Sequence, residues 1–384
     1  MNIKKFSLVP VMMIVALSAS AQKGNTLFQQ KNILKTMKSV ADWQINTWTE
    51  KGFKAKKYDW TNGACYAGLF DLGTLSKDDK YYKFLVGIGD DLNWNTGPRR
   101  SHADDYCIGQ MYSSLYMVYH DAKMITKFKA QADSVVAAPH TEALDWKNNI
   151  NEREWAWCDA LFMGPTALSY LSTATNEPKY LNKASELWWR TTAFLYDTTE
   201  HLYFRDQSYF AKKEKNGAKV FWSRGNGWVM GGLVRVLDNM PANHPDRKKF
   251  IKLYKEMAAR IITLQQPDGS WHASLLDPDS YPIKETSGTG FYTYALFWGL
   301  NHGILDIPTY APVAFKGWNA LSAAVQPDGM LGYVQPIGAA PDKVDQNSTA
   351  VYGVGAFLLA GNQLYKYLGY IYNTNRKIGK YIPQ

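Results

Sequence analysis

Arg224-Gly-Asn-Gly-Trp-Val-Met-Gly-Gly-Leu233 opens on two polar residues and runs at once into an apolar stretch rich in glycine. A helix with so little side-chain bulk can be approached closely on several sides, so it belongs inside an all-helical fold. Five other segments share this plan. They are Trp60-Thr-Asn-Gly-Ala-Cys-Tyr-Ala-Gly-Leu69, His102-Ala-Asp-Asp-Tyr-Cys-Ile-Gly-Gln110, Trp157-Cys-Asp-Ala-Leu-Phe-Met-Gly164, Glu285-Thr-Ser-Gly-Thr-Gly-Phe-Tyr-Thr-Tyr-Ala-Leu296 and Asn347-Ser-Thr-Ala-Val-Tyr-Gly-Val-Gly-Ala-Phe357. Their starts recur roughly every 40 to 70 residues, room for two helices and their loops, which marks a weak internal repeat.

Between these segments lie more polar, amphipathic stretches at 27–51, 77–92, 122–138, 180–196, 247–265 and 310–324. In 180–196, Leu181, Ala184, Leu187 and Trp188 fall at helical spacing, giving one apolar stripe and one charged face. The alternation predicts inner and outer helices, six pairs closing into an (α/α)6 barrel over a single domain at 22–384. An open helical solenoid uses the same pairs and is the alternative. Strand signals are few. Two related turns, Gln265-Gln-Pro-Asp-Gly-Ser-Trp271 and Val325-Gln-Pro-Asp-Gly-Met-Leu331, mark reversals after outer helices and are expected at one end of the ring.

The chain has 384 residues, 46% hydrophobic and 20% charged, which excludes disordered and fibrous classes. Residues 1–21 read as a secretory signal: Lys4 and Lys5, an apolar run at 6–17, then Ala19-Ser-Ala21. Export to the periplasm follows, with no lipid anchor because the first cysteine is Cys65. No later segment is apolar enough to span a membrane. The formal charge is +9, and Lys4 and Lys5 supply two of it. The remaining basic residues are scattered without stripe or motif, which argues against nucleic acid; the net positive charge favours an acidic small substrate or serves solubility alone. Cys65, Cys107 and Cys158 match no zinc spacing and read as buried small hydrophobes.

In the barrel reading, the starts of the inner helices meet at one end. That end collects Trp60, Asn62, His102, Asp104, Asp105, Trp155, Trp157, Asp159, Trp222, Arg224, Asn226, Trp228, Glu285 and Ser287. Indole rings stack on pyranose faces while carboxylates handle hydroxyls and protons, so the set suits a sugar. Asp159, flanked by Trp157, Leu161 and Phe162, is the first candidate acid, or else an N-terminal residue favouring the helix dipole. Asp104 and Asp105 point about 100° apart on a helix, so one of them faces the cavity or both cap. Arg224 suits a bidentate pair with a substrate carboxylate, or an internal salt bridge to Asp104 or Asp159. His102 reads as a cap, and Glu285 with Ser287 as a capping pair. His272 is placed near the rim.

Trp157-Cys-Asp-Ala-Leu-Phe-Met163, Trp222-Ser-Arg-Gly-Asn-Gly-Trp228 and Glu285-Thr-Ser-Gly-Thr289 resemble glycoside hydrolase family 105. These are unsaturated rhamnogalacturonyl and glucuronyl hydrolases, and the related family 88 shares their fold. The resemblance covers roughly residues 30–370. It implies an (α/α)6 barrel, no metal or cofactor, and hydration of the vinyl ether in a 4,5-unsaturated uronic acid left by a lyase. It implies Asp159 as proton donor and water activator, Asp104 (or Asp105) as the second aspartate, and Arg224 and Trp228 against the unsaturated sugar. One departure stands out in Leu202-Tyr-Phe-Arg-Asp206: Arg205 occupies a position where the rhamnogalacturonyl branch is expected to carry histidine. That points to a glucuronyl-linked oligosaccharide over galacturonyl-rhamnose. Two rivals fit the same residues: another (α/α)6 glycosidase with a two-aspartate acid/base pair, and a non-catalytic glycan-binding protein.

Overall fold

The structure is a computed structural model that describes residues 26–373, so the signal segment at 1–21 lies outside the described residues. Among those residues, twelve α-helices alternate between two kinds. The outer ones are α1 (Gln30–Lys51), α3 (Asp79–Asp91), α5 (Lys123–Ala137), α7 (Pro178–Leu195), α9 (Arg247–Ile262) and α11 (Ile307–Ser322). The inner ones are α2 (Trp60–Ser76), α4 (Gly109–Tyr119), α6 (Ala160–Thr175), α8 (Ser223–Asn239), α10 (Thr286–Asn301) and α12 (Val351–Asn373).

Each outer helix buries one stripe. In α7 that stripe includes Leu181, Ala184, Leu187 and Trp188, as the spacing predicts. The inner helices are buried almost all round; α10 buries every residue from Thr286 to Leu300. Each inner helix packs on the next, and α12 packs back on α2. The ring is therefore closed, which rules out the open solenoid.

Glycine sets how tightly it closes. A β-carbon on Gly68 of α2 would lie 2.7 Å from the Gly355 carbonyl of α12, and one on Gly355 would collide with the Ala64 carbonyl. Gly232 of α8 meets the Leu161 carbonyl of α6 in the same way. The two Gln-Pro-Asp-Gly turns adopt matching conformations, with Gly269 at φ 85° and Gly329 at φ 99°. Gly269 rests on the Lys316 carbonyl of α11, and Gly329 on the Ser39 carbonyl of α1. Each turn thus seats on the following outer helix, the second one across the ring closure.

Two short antiparallel pairs decorate the end where the inner helices begin: β1 (Tyr196–Asp197) with β2 (Leu202–Tyr203), and β3 (Trp271–His272) with β4 (Lys284–Glu285). The long connection from α5 to α6 is tied down by the buried Glu154, which accepts from Glu142 N at 2.9 Å and Arg190 Nη1 at 2.6 Å. Cys65, Cys107 and Cys158 are free and buried.

Gly355→Ala places a methyl against a main-chain carbonyl that has nowhere to go. It is expected to cost about 1–3 kcal/mol of stability by overpacking, read from chemical denaturation. An unchanged midpoint and slope would contradict the glycine contact.

Candidate active site at the mouth of the ring

Asp159 sits immediately before α6 in helical conformation, and its carboxylate accepts no capping hydrogen bond from the helix. The contrast with its neighbours is informative. Asp59 caps α2 through Thr61 N, and His102 caps the 3-10 turn Ala103–Tyr106 through Asp104 N. Glu285 caps α10 through Ser287 N and Gly288 N, and also accepts from Gln335 N at 3.1 Å. The capping reading therefore holds for His102 and Glu285, while Asp159 stands at the N-terminus of α6, where the helix dipole acts on it, without a capping hydrogen bond. The Asp159 side chain keeps 13% exposure, with Arg205 Nε 3.8 Å from Oδ2. The Cys158 thiol lies 3.4 Å from the same oxygen. Burial raises its pKa above the ordinary carboxyl range, opposed by the positive charges of Arg205 and Arg224.

The two adjacent aspartates part company. Asp105 is turned away: Oδ1 accepts from Arg99 Nε at 3.1 Å and Nη2 at 2.5 Å, and Oδ2 from Arg99 N at 2.7 Å. Its candidacy as a catalytic residue is corrected, because Arg99, from the loop that precedes the 3-10 turn, puts Nε and Nη2 on Oδ1 and its main-chain N–H on Oδ2. Asp104 keeps 18% side-chain exposure. Its pKa is pushed up to about 8, by burial first and by the nearby charge of Asp159 second. Burial takes the His102 imidazole down to about 4, with the positive charge of Arg99 adding to it. That neutral ring packs on Trp157 with centroids 5.0 Å apart and serves as a cap, which corrects its placement among substrate contacts.

Arg224 is fully buried. Its Nη1 and Nη2 donate to the carbonyls of Gln335 and Pro336 at 2.5 and 2.8 Å. Trp222 covers one side at 4.4 Å and Tyr352 lies at 4.9 Å. Neither the exposed fork that a substrate carboxylate needs nor an ion pair to Asp104 or Asp159 is present. The reason is the 335–336 segment, far away in sequence, which claims both nitrogens.

Asn226 is likewise committed. Its amide accepts from Tyr203 N at 2.7 Å and donates to Tyr203 O at 3.0 Å, clamping β2 to α8. It positions Arg205 two residues on and is not free to meet substrate. Asn62 donates to Lys56 O at 2.9 Å and is similarly withdrawn. Trp222 is buried and donates to Gln335 Oε1 at 3.0 Å.

An aromatic wall does form. Trp60, half-buried, stacks on Tyr352 at 5.4 Å and meets the edge of the buried Trp228 at 5.8 Å. Trp228 packs on Phe162, three residues beyond Asp159, at 4.9 Å. Opposite, Trp157 meets Trp146 at 6.3 Å, and the Arg205 guanidinium lies 4.6 Å over Trp146. His272 stands apart with its ring toward the Pro278 carbonyl.

Trp146, Tyr352 and Gln335 escape the sequence reading. Tyr352 lies in the sixth repeat and was within reach of it; Trp146 and Gln335 lie in connections with no local signal. Arg205 Nε, Arg224 Nε, Trp228 Nε1 and Ser223 Oγ are buried here with no hydrogen-bond partner among the described residues. Unpaired buried donors are costly, and a hydroxyl-rich or anionic ligand could take those within its reach.

The sequence model of Glycosyl Hydrolase Family 88 matches residues 36–368. An unsaturated 3S-rhamnoglycuronyl hydrolase of Formosa agariphila is 38% identical over 364 residues, which cover 92% of this chain and 94% of that one. A solved family 88 glycosyl hydrolase from Bacteroides vulgatus superposes with a TM-score of 0.79 at 30% identity, over 88% of this chain and 99% of its own. A solved polysaccharide lyase superposes with a TM-score of 0.80 at 32% identity, over 88% of this chain and 98% of its own.

Asp104 binds its proton more tightly folded than unfolded. Its contribution to stability is present in full below the ordinary value of 3.8 and is lost as pH rises through about 8. Asp104→Asn removes that loss. It is expected to raise the Tm by about 2–4 °C near pH 9, with the gap closing toward pH 4. A Tm difference that does not change with pH would contradict the burial of this carboxyl.

Proposed function

The chain belongs to glycosyl hydrolase family 88, and from that premise we propose that it removes a 4,5-unsaturated uronic acid from the non-reducing end of lyase-generated oligosaccharides. The observation that carries this reading is the Asp159 carboxyl: partly desolvated, free of capping duty, and beside a second carboxyl at the mouth of an aromatic-lined ring. Burial raises the Asp159 pKa and so favours the protonated form that an acid must have. That proton goes to C4 of the vinyl ether, and positive charge develops at C5 and the ring oxygen. The resulting Asp159 carboxylate takes a proton from water as the water oxygen bonds to C5. The hemiketal opens by breaking the bond between C5 and the ring oxygen, and the hemiacetal left at C1 releases the next sugar. Asp104, neutral up to about pH 8, is able to donate a hydrogen bond to a sugar hydroxyl without adding a negative charge beside Asp159.

The relative from Formosa agariphila, an unsaturated 3S-rhamnoglycuronyl hydrolase, supports a rhamnose, which we read as carrying a 3-sulfate, as the sugar that leaves. The basic and apolar start of the chain supports export with cleavage after Ala21. A secreted chain whose mass corresponds to a start at Gln22 is the expected result, and retention of residues 1–21 would sink it.

The solved lyase relative favours a second reading, in which the chain makes the double bond in place of consuming it. One experiment separates the two. A hydrolase lowers the ultraviolet absorbance of unsaturated disaccharides; a lyase raises absorbance on intact polysaccharide. We expect loss of absorbance, and Asp159→Asn to cut kcat about 100-fold or more, as for a lost general acid. Undiminished turnover by that variant would remove Asp159 from the chemistry. Unchanged sugar affinity with no turnover by the wild type would mark a binding protein.

A further inference from the structure

We propose that Arg205, through the unpaired Nε/Nη2 edge of its guanidinium, binds the C5 carboxylate of the unsaturated uronate, the task that the sequence motif suggests for Arg224. The inference rests on the reaction proposed above and adds the residue that recognises the acid.

Arg224 cannot easily be released for that task. The segment it holds is fixed from three other directions: Gln335 N donates to Glu285 Oε1 at 3.1 Å, Tyr352 Oη to Gln335 O at 2.5 Å, and Trp222 Nε1 to Gln335 Oε1 at 3.0 Å. Freeing the Arg224 fork would break two charge-assisted hydrogen bonds, to Gln335 O, which would keep Tyr352 Oη, and to Pro336 O.

Arg205 is the reverse case. Nη1 donates to Asp206 Oδ2 at 2.6 Å, and Asp206 is itself buried and accepts from Ser208 N at 2.8 Å. The guanidinium face lies on Trp146. Its main chain is pinned by Cys158 N donating to Arg205 O at 2.8 Å and by the Asn226 clamp on Tyr203. One nitrogen and one face are thus fixed, which orients the plane. Nε and Nη2 make no hydrogen bond among the described residues, and 3.8 Å to Asp159 Oδ2 is beyond hydrogen-bond reach. A held guanidinium whose side-on edge no hydrogen bond takes, although its Nε is buried beside Asp159, is suited to a planar two-oxygen anion.

Position selects which anion. To protonate C4, the Asp159 carboxyl must approach it to about 3–3.5 Å. The substrate carboxylate hangs from C5, the next ring atom, so it falls close beside Asp159, where the Arg205 edge is. A sulfate on the departing sugar is separated from Asp159 by the uronate ring.

The test compares an unsaturated disaccharide as free acid and as methyl ester, with wild type, Arg205→Ala and Arg205→Lys, by kcat and KM. Wild type is expected to prefer the acid by about 100-fold in kcat/KM, mostly through KM, as for a buried charge-paired contact. Arg205→Ala should lose at least tenfold of that preference, and Arg205→Lys, which keeps charge without the fork, should fall between. If Arg205→Ala keeps the wild-type acid-to-ester ratio, the proposal is wrong. A sulfated and a desulfated disaccharide form the second arm. Equal losses on both support the uronate, whereas a loss confined to the sulfated sugar reassigns Arg205 to the aglycone and overturns it. Arg205→Lys carries the comparison should the alanine variant not fold. If wild type consumes no double bond, the reaction reading fails by itself, and calorimetric affinities for acid and ester across the same variants still decide Arg205.

Discussion

Main-chain contact between glycine-bearing inner helices is the constraint on which the rest depends. Gly68 and Gly355 bring α2 and α12 together at the closure, and Gly232 does the same for α8 on α6. Ordinary side chains at these points would push the helices apart and open the ring. Because each outer helix returns the chain to the same end, closure also gathers the starts of all six inner helices into one mouth. The site is a consequence of that gathering, since no single repeat carries enough of it alone.

Two buried amides then decide what the mouth presents. Asn226 fastens β2 to α8 and so delivers Arg205 to Asp159. Gln335, itself held by Glu285, Tyr352 and Trp222, presents carbonyls that draw Arg224 into the wall. The capping carboxylate Glu285 therefore acts at a distance: it starts α10 and also sets the segment that occupies Arg224. The two arginines exchange duties because both terminal nitrogens of Arg224 are bonded from within, whereas Nε and Nη2 of Arg205 take no hydrogen bond among the described residues.

The electrostatics follow from the same placement. Burial raises Asp104 and Asp159 together, but Asp159 has Arg205 and Arg224 pulling against it, while Asp104 has Arg99 pulling against it and feels the charge of Asp159. Two similar carboxyls thereby sit in different fields of charge, a way in which one site holds a neutral hydrogen-bond donor next to a carboxyl that must give and regain a proton.

The sequence by itself determined the alternation of glycine-rich and amphipathic segments, and with it the helix pairs, the mouth, and the candidacy of Asp159, because these are matters of local period and composition. Legible too were Glu285 as a cap and the departure at Arg205. Whether Asp104 or Asp105 faces inward was not, since both suit the start of a helix and only Arg99, fixed by its own loop, separates them. Nor were the roles of Arg224 and Asn226, whose partners at 335–336 and 203 lie far off along the chain. A polar side chain advertises a capacity to bond. Which partner satisfies it depends on what the closed ring brings within about 3 Å, and only the tertiary structure decides that.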